Sequence, residues 1–332
     1  MLDPDQVMSA MKGCDVVVNC ARDKGVKNKD VVDFYVKSTS NLLQYAELNE
    51  VKKFIHLSTA AVHDLGRDYS ISETSRLVRT SDAYIRGKLE SEKLVLAYQH
   101  RLPIVVLRPT MIYGPYSANW VTEFIDRLQN QRPLTLRDDS LANLIYIDDV
   151  VRAILLAIES DQANGQVFII NNDRENISWK DYIMNISTGL GFLPRSTPES
   201  SLLIQRIDNV FALLRDSLMV TRELLTSTEA LSILARIPIV LKFGQILVRG
   251  VSRREKIQEK LKAPTHSRSD SYLNVLYKYE TIDKALHKIL TSRSSFSSEH
   301  ARRRLGFEPH CPFSEGMPKT LDWAKWWVDV DG

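Results

Sequence analysis

Short apolar runs rich in Val and Ile alternate with helix-patterned segments along the first half of this chain. The runs lie at residues 15–20, 54–58, 104–108 and 167–171. Runs of this kind are typical of strands that are buried on both faces. Because strand–helix alternation implies right-handed crossovers, it predicts strands that run parallel in one sheet. The sequence therefore predicts an α/β fold built on an open parallel sheet.

Three polar side chains are expected at one edge of that sheet. Thr59 comes just after the strand at 54–58, at the carboxyl edge where open α/β sheets bind ligands. Tyr84 and Lys88 are four residues apart in the segment 83–100, which has helical spacing. Since residues at i and i+4 share a helix face, the phenol and the ammonium should project into the same crevice.

This trio suits proton transfer coupled to hydride transfer. A free tyrosine has a pKa of about 10, which is too high for a base at neutral pH. A lysine one helical turn away, together with a cationic ring nearby, would stabilise the phenolate and lower the pKa of Tyr84. Thr59 would then hydrogen-bond the substrate oxygen. The alternative is a half-buried aromatic and a surface lysine, because a Tyr-x-x-x-Lys pattern also arises by chance.

Further motifs surround the trio in a fixed order. They read GCDVVVNCA at 13–21, STAAV at 58–62, RPTMIYGP at 108–115, NLIYIDDV at 143–150 and ARRRLGFEP at 301–309. In this order they resemble the extended short-chain dehydrogenase/reductase family, of the NAD-dependent epimerase/dehydratase type. The resemblance covers residues 1 to about 190 and, less fully, 295–328. It implies a Rossmann-type parallel sheet with a smaller, mostly helical C-terminal substrate lobe.

The resemblance also implies a cofactor, a substrate and an assembly. The cofactor would be NAD or NADP, the substrate a small molecule, in this family a nucleotide-activated sugar, and the assembly a homodimer. Tyr84 would be the acid/base, Lys88 would tune it and hold the nicotinamide ribose, and Thr59 would orient the substrate oxygen. The residues implied to bind the cofactor are Asn19, Cys20, Ala21, Ser58, Tyr84, Lys88, Pro109 and Ile112.

The residues implied to bind substrate are Thr59, Ala60, Asn119 and Arg137. For Asn119 the alternative is a helix cap, which asparagine favours in any case. For Arg137 the alternative is a solvated loop arginine. Asp148 and Asp149 look like a carboxylate pair, but they begin a predicted helix, where the helix dipole already explains acidic residues.

The chain departs from the family pattern at its beginning. The family starts with a strand and a glycine-rich turn that cradles the cofactor pyrophosphate, whereas the 13 glycines of this chain are scattered. The N-terminally incomplete pattern would leave strand 16–18 as an apolar sheet edge. The explanations are a shortened sequence, which we favour, a partner that supplies the missing half, and a remnant that no longer binds cofactor. Tyr35 also replaces a usual asparagine, and Ala142 and Asn143 replace a usual Arg-Asp pair.

The predicted domains follow from these motifs. Residues 1–173 would form an incomplete dinucleotide-binding domain, with 119–140 contributing to the substrate lobe, and 174–332 would form that lobe. A helical, basic insert is expected at about 199–270. As an enlarged lid it fits a sugar enzyme. As a membrane-surface segment, through 231–262, it would fit a dehydrogenase of sterol or isoprenoid alcohols. A non-catalytic scaffold that retains the fold is the third interpretation.

Composition narrows the class of protein. A net charge of +3 is too small to indicate nucleic-acid binding. Cys14, Cys20 and Cys311 show neither paired nor metal-ligand spacing, which favours a reducing compartment and no metal site. There is no secretory leader pattern and no run of about 18 apolar residues. We expect a cytoplasmic enzyme, with peripheral membrane contact as the alternative.

Overall fold

A computed structural model describes residues 1–23, 25–65, 70–130, 132, 134, 136–192 and 284–331. The strands are β1 Val16–Asn19, β2 Lys53–Leu57, β3 Ser70–Ile71, β4 Ile104–Pro109, β5 Met111–Tyr113, β6 Leu144–Tyr146, β7 Gln166–Ile170 and β8 Ser295–Phe296. The helices are α1 Pro4–Met11, α2 Val31–Leu48, α3 Ala83–Ala97, α4 Glu123–Gln129, α5 Ile147–Glu159, α6 Trp179–Gly189, α7 Lys284–Leu290, α8 Glu299–Leu305 and α9 Phe313–Asp331.

The main sheet has four parallel strands in the order β1-β2-β4-β7. Phe54 in β2 lies opposite Val17 on one side and Ile104 on the other, and Leu107 in β4 lies opposite Phe168. The predicted α/β fold with a parallel sheet is therefore confirmed, and all four predicted strands are present.

Local sequence signals set the helix ends that matter for the sheet edge. Asp82 caps α3, and its side chain accepts a hydrogen bond from the Ile85 amide at 2.9 Å. Asp3 caps α1 in the same way, and Gly13 follows that helix with φ of 75°. These are the side-chain and glycine caps that satisfy free backbone groups at helix ends. The cap at Asp82 places Tyr84 in the first turn of α3.

Both faces of the sheet are covered by apolar residues. On one face α2 and α3 pack through Leu43 and Val95 against Phe54 and Val106. On the other face α5 and α8 pack through Ala153 and Ala301 against the inner strands. Burial on both faces explains why the strands read as continuous apolar runs.

β1 is the terminal strand of this sheet and, within the described ranges, it pairs with β2 alone. Val18 is 38% exposed on it. The predicted apolar edge is thus present, with one row of backbone groups facing away from the sheet.

A second cluster of buried residues is rich in aromatic side chains. Phe124 from α4 packs on Trp179 and Tyr182 from α6, with ring centroids 5.6 and 6.1 Å apart. α4 follows a single π-helical turn, Ala118–Thr122. α4 thus packs on α6. The predicted substrate lobe, the contribution of 119–140 to it and the boundary between residues 173 and 174 stay predictions.

The predicted insert at 199–270 and the membrane segment at 231–262 lie outside the described residues. Within the described ranges no helix combines the length and the apolarity needed to cross a bilayer.

Candidate active site

Thr59 and Tyr84 meet at the carboxyl edge of the sheet. Thr59 leaves β2 in extended conformation, and its Oγ1 accepts a hydrogen bond from the Ala61 amide at 3.2 Å. The Thr59 side chain lies close enough to the Tyr84 phenol to lower its pKa. Two of the three predicted groups are therefore neighbours, although they come from different elements.

The pKa of Tyr84 is raised above its ordinary value, mainly because the phenol is buried. The Thr59 side chain and the positive charge of Arg22 oppose this shift without overcoming it. The sequence predicted a lowered pKa for Tyr84. That prediction is wrong, because burial outweighs the groups that lower this pKa. The phenol is protonated at neutral pH.

Lys88 is buried one turn further along α3. Its Nζ donates to the carbonyl oxygen of Leu57 at 2.8 Å and to that of Ala21 at 3.3 Å. The ammonium thus bridges the carboxyl ends of β2 and β1. Burial lowers the pKa of Lys88 to about 8, while Cys20 and Asp23 act in the opposite direction.

The Tyr35 ring contacts both Lys88 and Tyr84. Its ring is edge-on to the Tyr84 ring, with centroids 6.0 Å apart, and the Lys88 Nζ lies 4.9 Å from its centroid. Its hydroxyl donates to Asp23 Oδ1 at 2.9 Å. A Cβ atom at Gly87 would lie 2.4 Å from the Tyr35 ring, so α3 and α2 approach this closely only with glycine there. The sequence marked Tyr35 as unusual but did not give its role.

Asn19 is buried and belongs to a hydrogen-bonded chain below Lys88. Its Oδ1 accepts from the Ala21 amide at 3.1 Å, and its Nδ2 lies 3.1 Å from His56 Nδ1. Ser91 Oγ lies 3.4 Å from His56 Nε2 and donates to the Lys88 carbonyl. Burial, followed by the charge of Lys88, lowers the pKa of His56 to about 3, so the ring is neutral. The polar atoms of Asn19 are therefore engaged within the protein.

Other residues predicted to bind cofactor lie at the same edge. Ser58 is 5% exposed, and its buried Oγ has no hydrogen-bond partner in the described structure. Cys20 is exposed directly after β1. Pro109 ends β4, and Ile112 lies in the adjacent β5. An orphaned buried hydroxyl beside Thr59 fits a ligand group that would satisfy it.

The residues predicted to bind substrate separate into two places. Ala60 is buried in the turn that carries Thr59. Asn119 is exposed, and its Oδ1 accepts from Arg22 Nη2 at 2.9 Å. Ser117, not Asn119, stands at the start of the π-helical turn, so the helix-cap alternative for Asn119 is wrong. Arg137 is exposed and pairs with Asp139 in its own loop, at 3.2 Å. Arg22 was not predicted as a site residue, because its only sequence signal is its position just after a predicted strand.

A buried ion pair joins β4 to α3. Arg108 from β4 makes a two-pronged contact with Glu92 from α3, and both side chains are 5% exposed. Arg108 Nη1 lies 3.0 Å from His63 Nε2, and His63 Nδ1 lies 3.2 Å from the Ser75 carbonyl. A proton on Nδ1 therefore satisfies both ring nitrogens. We assign this cluster a structural role.

Asp149 is likewise structural. It lies in the first turn of α5, and its carboxylate accepts from the amides of His310 and Cys311 at 2.8 and 3.1 Å. Within the described ranges no group of His, Cys, Asp and Glu side chains could hold a metal ion. A separate cavity of about 310 Å³ is lined by Asn143, Asn171 and Asp173 among others. None of the residues predicted to bind cofactor or substrate lines it.

Comparison with known proteins places the chain in a family. A family model described as the NAD dependent epimerase/dehydratase family matches residues 1–171. The 2-alkyl-3-oxoalkanoate reductase of Shewanella oneidensis is 31% identical over 191 residues, which cover 52% of this chain and 49% of that protein. The dTDP-D-glucose 4,6-dehydratase of Dictyostelium discoideum is 29% identical over 196 residues, covering 52% of this chain and 45% of that protein.

A solved structure shares the fold. DesIV, a dTDP-glucose 4,6-dehydratase from Streptomyces venezuelae with NAD and TYD bound, aligns with a TM-score of 0.60 at 18% identity, covering 99% of this chain and 79% of that one. The chain spans about half the length of the curated relatives it matches. Because the family model matches more than half of the 332 residues, the chain belongs to the NAD-dependent epimerase/dehydratase family.

Proposed function

We propose that the crevice between β2 and α3 is the site of an NAD(P)-dependent oxidoreductase that oxidises a ring hydroxyl of a nucleotide-activated sugar. Epimerisation, dehydration or reduction would follow at the ketone. The observation that carries this proposal is the convergence of the trio at the carboxyl end of β2, where Thr59 acts on the Tyr84 phenol and Lys88, one helical turn from Tyr84, donates to the Leu57 carbonyl at 2.8 Å. Membership of the family supports the same class of chemistry.

Each residue of the trio has a separate task. NAD(P), when bound, supplies the hydride acceptor. Thr59 holds the substrate oxygen beside the Tyr84 phenol, which takes the hydroxyl proton during oxidation and returns it during reduction. Because the phenol is protonated as described, it is ready to act as an acid on a ketone. Lys88 stabilises the phenolate when the proton has left and holds the nicotinamide ribose.

The described residues fit the nicotinamide half of the cofactor better than the other half. The orphaned Ser58 hydroxyl, the Lys88 ammonium and the backbone of Ala21 lie along one edge of the sheet. The 332 residues contain no glycine-rich turn of the family pattern. Pyrophosphate binding is therefore assigned to no residue of this chain.

A second substrate class is favoured by one comparison. The match to a 2-alkyl-3-oxoalkanoate reductase, together with Ala142 and Asn143 in place of the usual Arg-Asp pair, supports reduction of a 3-oxo acid by the same trio. The sterol or isoprenoid alternative depends on residues 231–262, outside the described ranges, and stays a prediction. The homodimer and the cytoplasmic location stay predictions as well.

The test is turnover of the Tyr84→Phe variant with NAD(H) or NADP(H) and substrates of both classes. We expect kcat to fall about 10²- to 10⁴-fold, the usual contribution of a positioned acid/base, with cofactor affinity unchanged. Tyr98→Phe, at the end of the same helix, is the matched control and should retain full activity. Near-normal turnover of Tyr84→Phe would exclude the assignment. Failure of the wild-type chain to bind NAD(P) in a titration would favour the non-catalytic scaffold or a shortened sequence.

A further inference from the structure

Arg22 and Asn119 connect two parts of the chain that are 97 residues apart. Arg22 lies in the segment that follows β1, two residues beyond Cys20. Asn119 lies in the π-helical turn that leads into α4. The Arg22 Nη2 atom donates to Asn119 Oδ1 at 2.9 Å. Both residues are exposed, so a ligand can reach them.

The guanidinium of Arg22 has no carboxylate partner within the described ranges. Other arginines do have one: Arg108 pairs with Glu92, and Arg302 pairs with Asp173 at 2.7 Å. The neighbouring Asp23 accepts from Tyr35 instead. A guanidinium carries five N–H donors, and Asn119 uses one of those on Arg22. Among the described residues Arg22 therefore has no direct ion pair, and some of its donors have no partner there.

Arg22 lies close to the trio. Lys88 Nζ donates to the carbonyl oxygen of Ala21 at 3.3 Å, and Ala21 directly precedes Arg22 in the chain. A ligand oxygen that reaches Tyr84 and an anionic group that reaches Arg22 could thus belong to one small molecule.

We propose that Arg22 and the side-chain amide of Asn119 form an oxyanion-binding site for the substrate whose reacting oxygen lies at Tyr84. Arg22 supplies the charge and two parallel donors, the geometry that carboxylates and phosphates prefer. Asn119 Nδ2 supplies a further donor, since Oδ1 faces Arg22. The shared chemistry is a carboxylate or phosphate oxygen. A 3-oxo acid would present the first and a nucleoside diphosphate the second, so this inference rests on the proposed function for its substrate.

The experiment is calorimetric titration of the full chain with two anionic probes and their neutral counterparts. The anions are UDP and 3-hydroxybutyrate, and the neutral counterparts are uridine and 1,3-butanediol. We expect one anion to bind at least about 10-fold more tightly than its counterpart, because one charge-assisted hydrogen bond strengthens binding by about that factor. Preference for UDP would identify the phosphate source, and preference for 3-hydroxybutyrate the carboxylate source.

Variants then assign that preference to the proposed residues. Arg22→Gln should lose it, with Kd rising about 10- to 100-fold, and Asn119→Ala should lose part of it. Arg303→Gln removes the same charge from a surface arginine that pairs with Glu299, and it should bind as the wild type does. Equal binding by Arg22→Gln and wild type would overturn the inference. So would an absence of anion preference in the wild type.

These outcomes are independent of the proposed catalysis. Tyr84→Phe should retain the anion preference, because binding does not require the phenolic proton. Anion binding that depends on Arg22, without any turnover, would reject the proposed function and support the anion-binding site. Turnover that depends on Tyr84, together with no effect of Arg22→Gln on Kd or KM, would reject the anion-binding site and support the proposed function.

Discussion

The ammonium of Lys88 lies 4.9 Å from the centre of the Tyr35 ring, which comes from a different helix. The same ring is edge-on to Tyr84, and its hydroxyl donates to Asp23. One buried side chain thus contacts both the proposed acid/base and the lysine that tunes it. We infer that Tyr35 is a positioning residue, which acts through Lys88 and not on substrate.

Replacing the Tyr35 ring should change the titration of Lys88. An ammonium over an aromatic face is stabilised by about 0.5–2 kcal/mol, depending on how far it is desolvated. Tyr35→Leu removes this stabilisation, so the pKa of Lys88 should fall below its present value of about 8. Tyr35→Phe keeps the ring and should leave that pKa nearly unchanged. The measurement is the pH dependence of Lys88 acetylation by mass spectrometry. Equal shifts in the two variants would assign the effect to the hydroxyl instead of the ring.

Gly87→Ala should destabilise the protein although alanine is the better helix former. The new Cβ would lie 2.4 Å from Tyr35 Cδ2 and 3.2 Å from Tyr35 Cβ, so the ring or the helix must move. Overpacking of this kind costs about 1–3 kcal/mol, against a gain in helix propensity of about 1 kcal/mol. Urea unfolding would measure the difference. In a Tyr35→Leu background the closest contact is lost, and the penalty of Gly87→Ala should shrink by about 1 kcal/mol or more.

The sheet and the placement of Tyr84 and Lys88 could be predicted because they depend on local signals. Four apolar runs became β1, β2, β4 and β7, and Asp82 fixed the start of the helix that carries both residues. Residue spacing then placed the phenol and the ammonium on one face. These features require no knowledge of distant contacts.

Side-chain direction could not be predicted in the same way. Spacing placed Lys88 near Tyr84, but its Nζ binds the carbonyls of Ala21 and Leu57, which only the folded sheet brings together. Asn19 follows the exposed Val18 and points to the opposite, buried side of β1, since side chains alternate along a strand. Arg22 gave no periodic signal, and its partner is 97 residues away.

Breaking the buried pair of Arg108 and Glu92 should be strongly destabilising. Glu92→Gln leaves a guanidinium that is 5% exposed without its counter-charge, which costs about 3–5 kcal/mol. Glu90→Gln is the matched control on the same helix, because Glu90 pairs with Lys93 at the surface and should cost less than about 1 kcal/mol. Urea unfolding at pH 7 gives both values. A similar small effect for both variants would show that Arg108 is adequately solvated without Glu92.

Two buried histidines should make stability fall as the pH falls below about 6.5. Burial, aided by Lys88, lowers the pKa of His56 to about 3, and burial with Arg108 lowers that of His63 to about 4. Between these values and the ordinary pKa of about 6.5, the unfolded chain binds protons that the folded chain does not. The free energy of unfolding should therefore decrease with falling pH, by about 1.4 kcal/mol per pH unit for each histidine.

His56→Gln should remove one of these two contributions. Glutamine can accept from Asn19 and donate to Ser91, as the neutral imidazole does, but it does not titrate. The variant should show roughly half the wild-type slope of unfolding free energy between pH 5 and 6.5, a window that lies above the titration of ordinary carboxylates. His100→Gln, at an exposed position, should retain the full slope. An unchanged slope in His56→Gln would mean that His56 takes up its proton in the folded state as readily as in the unfolded chain.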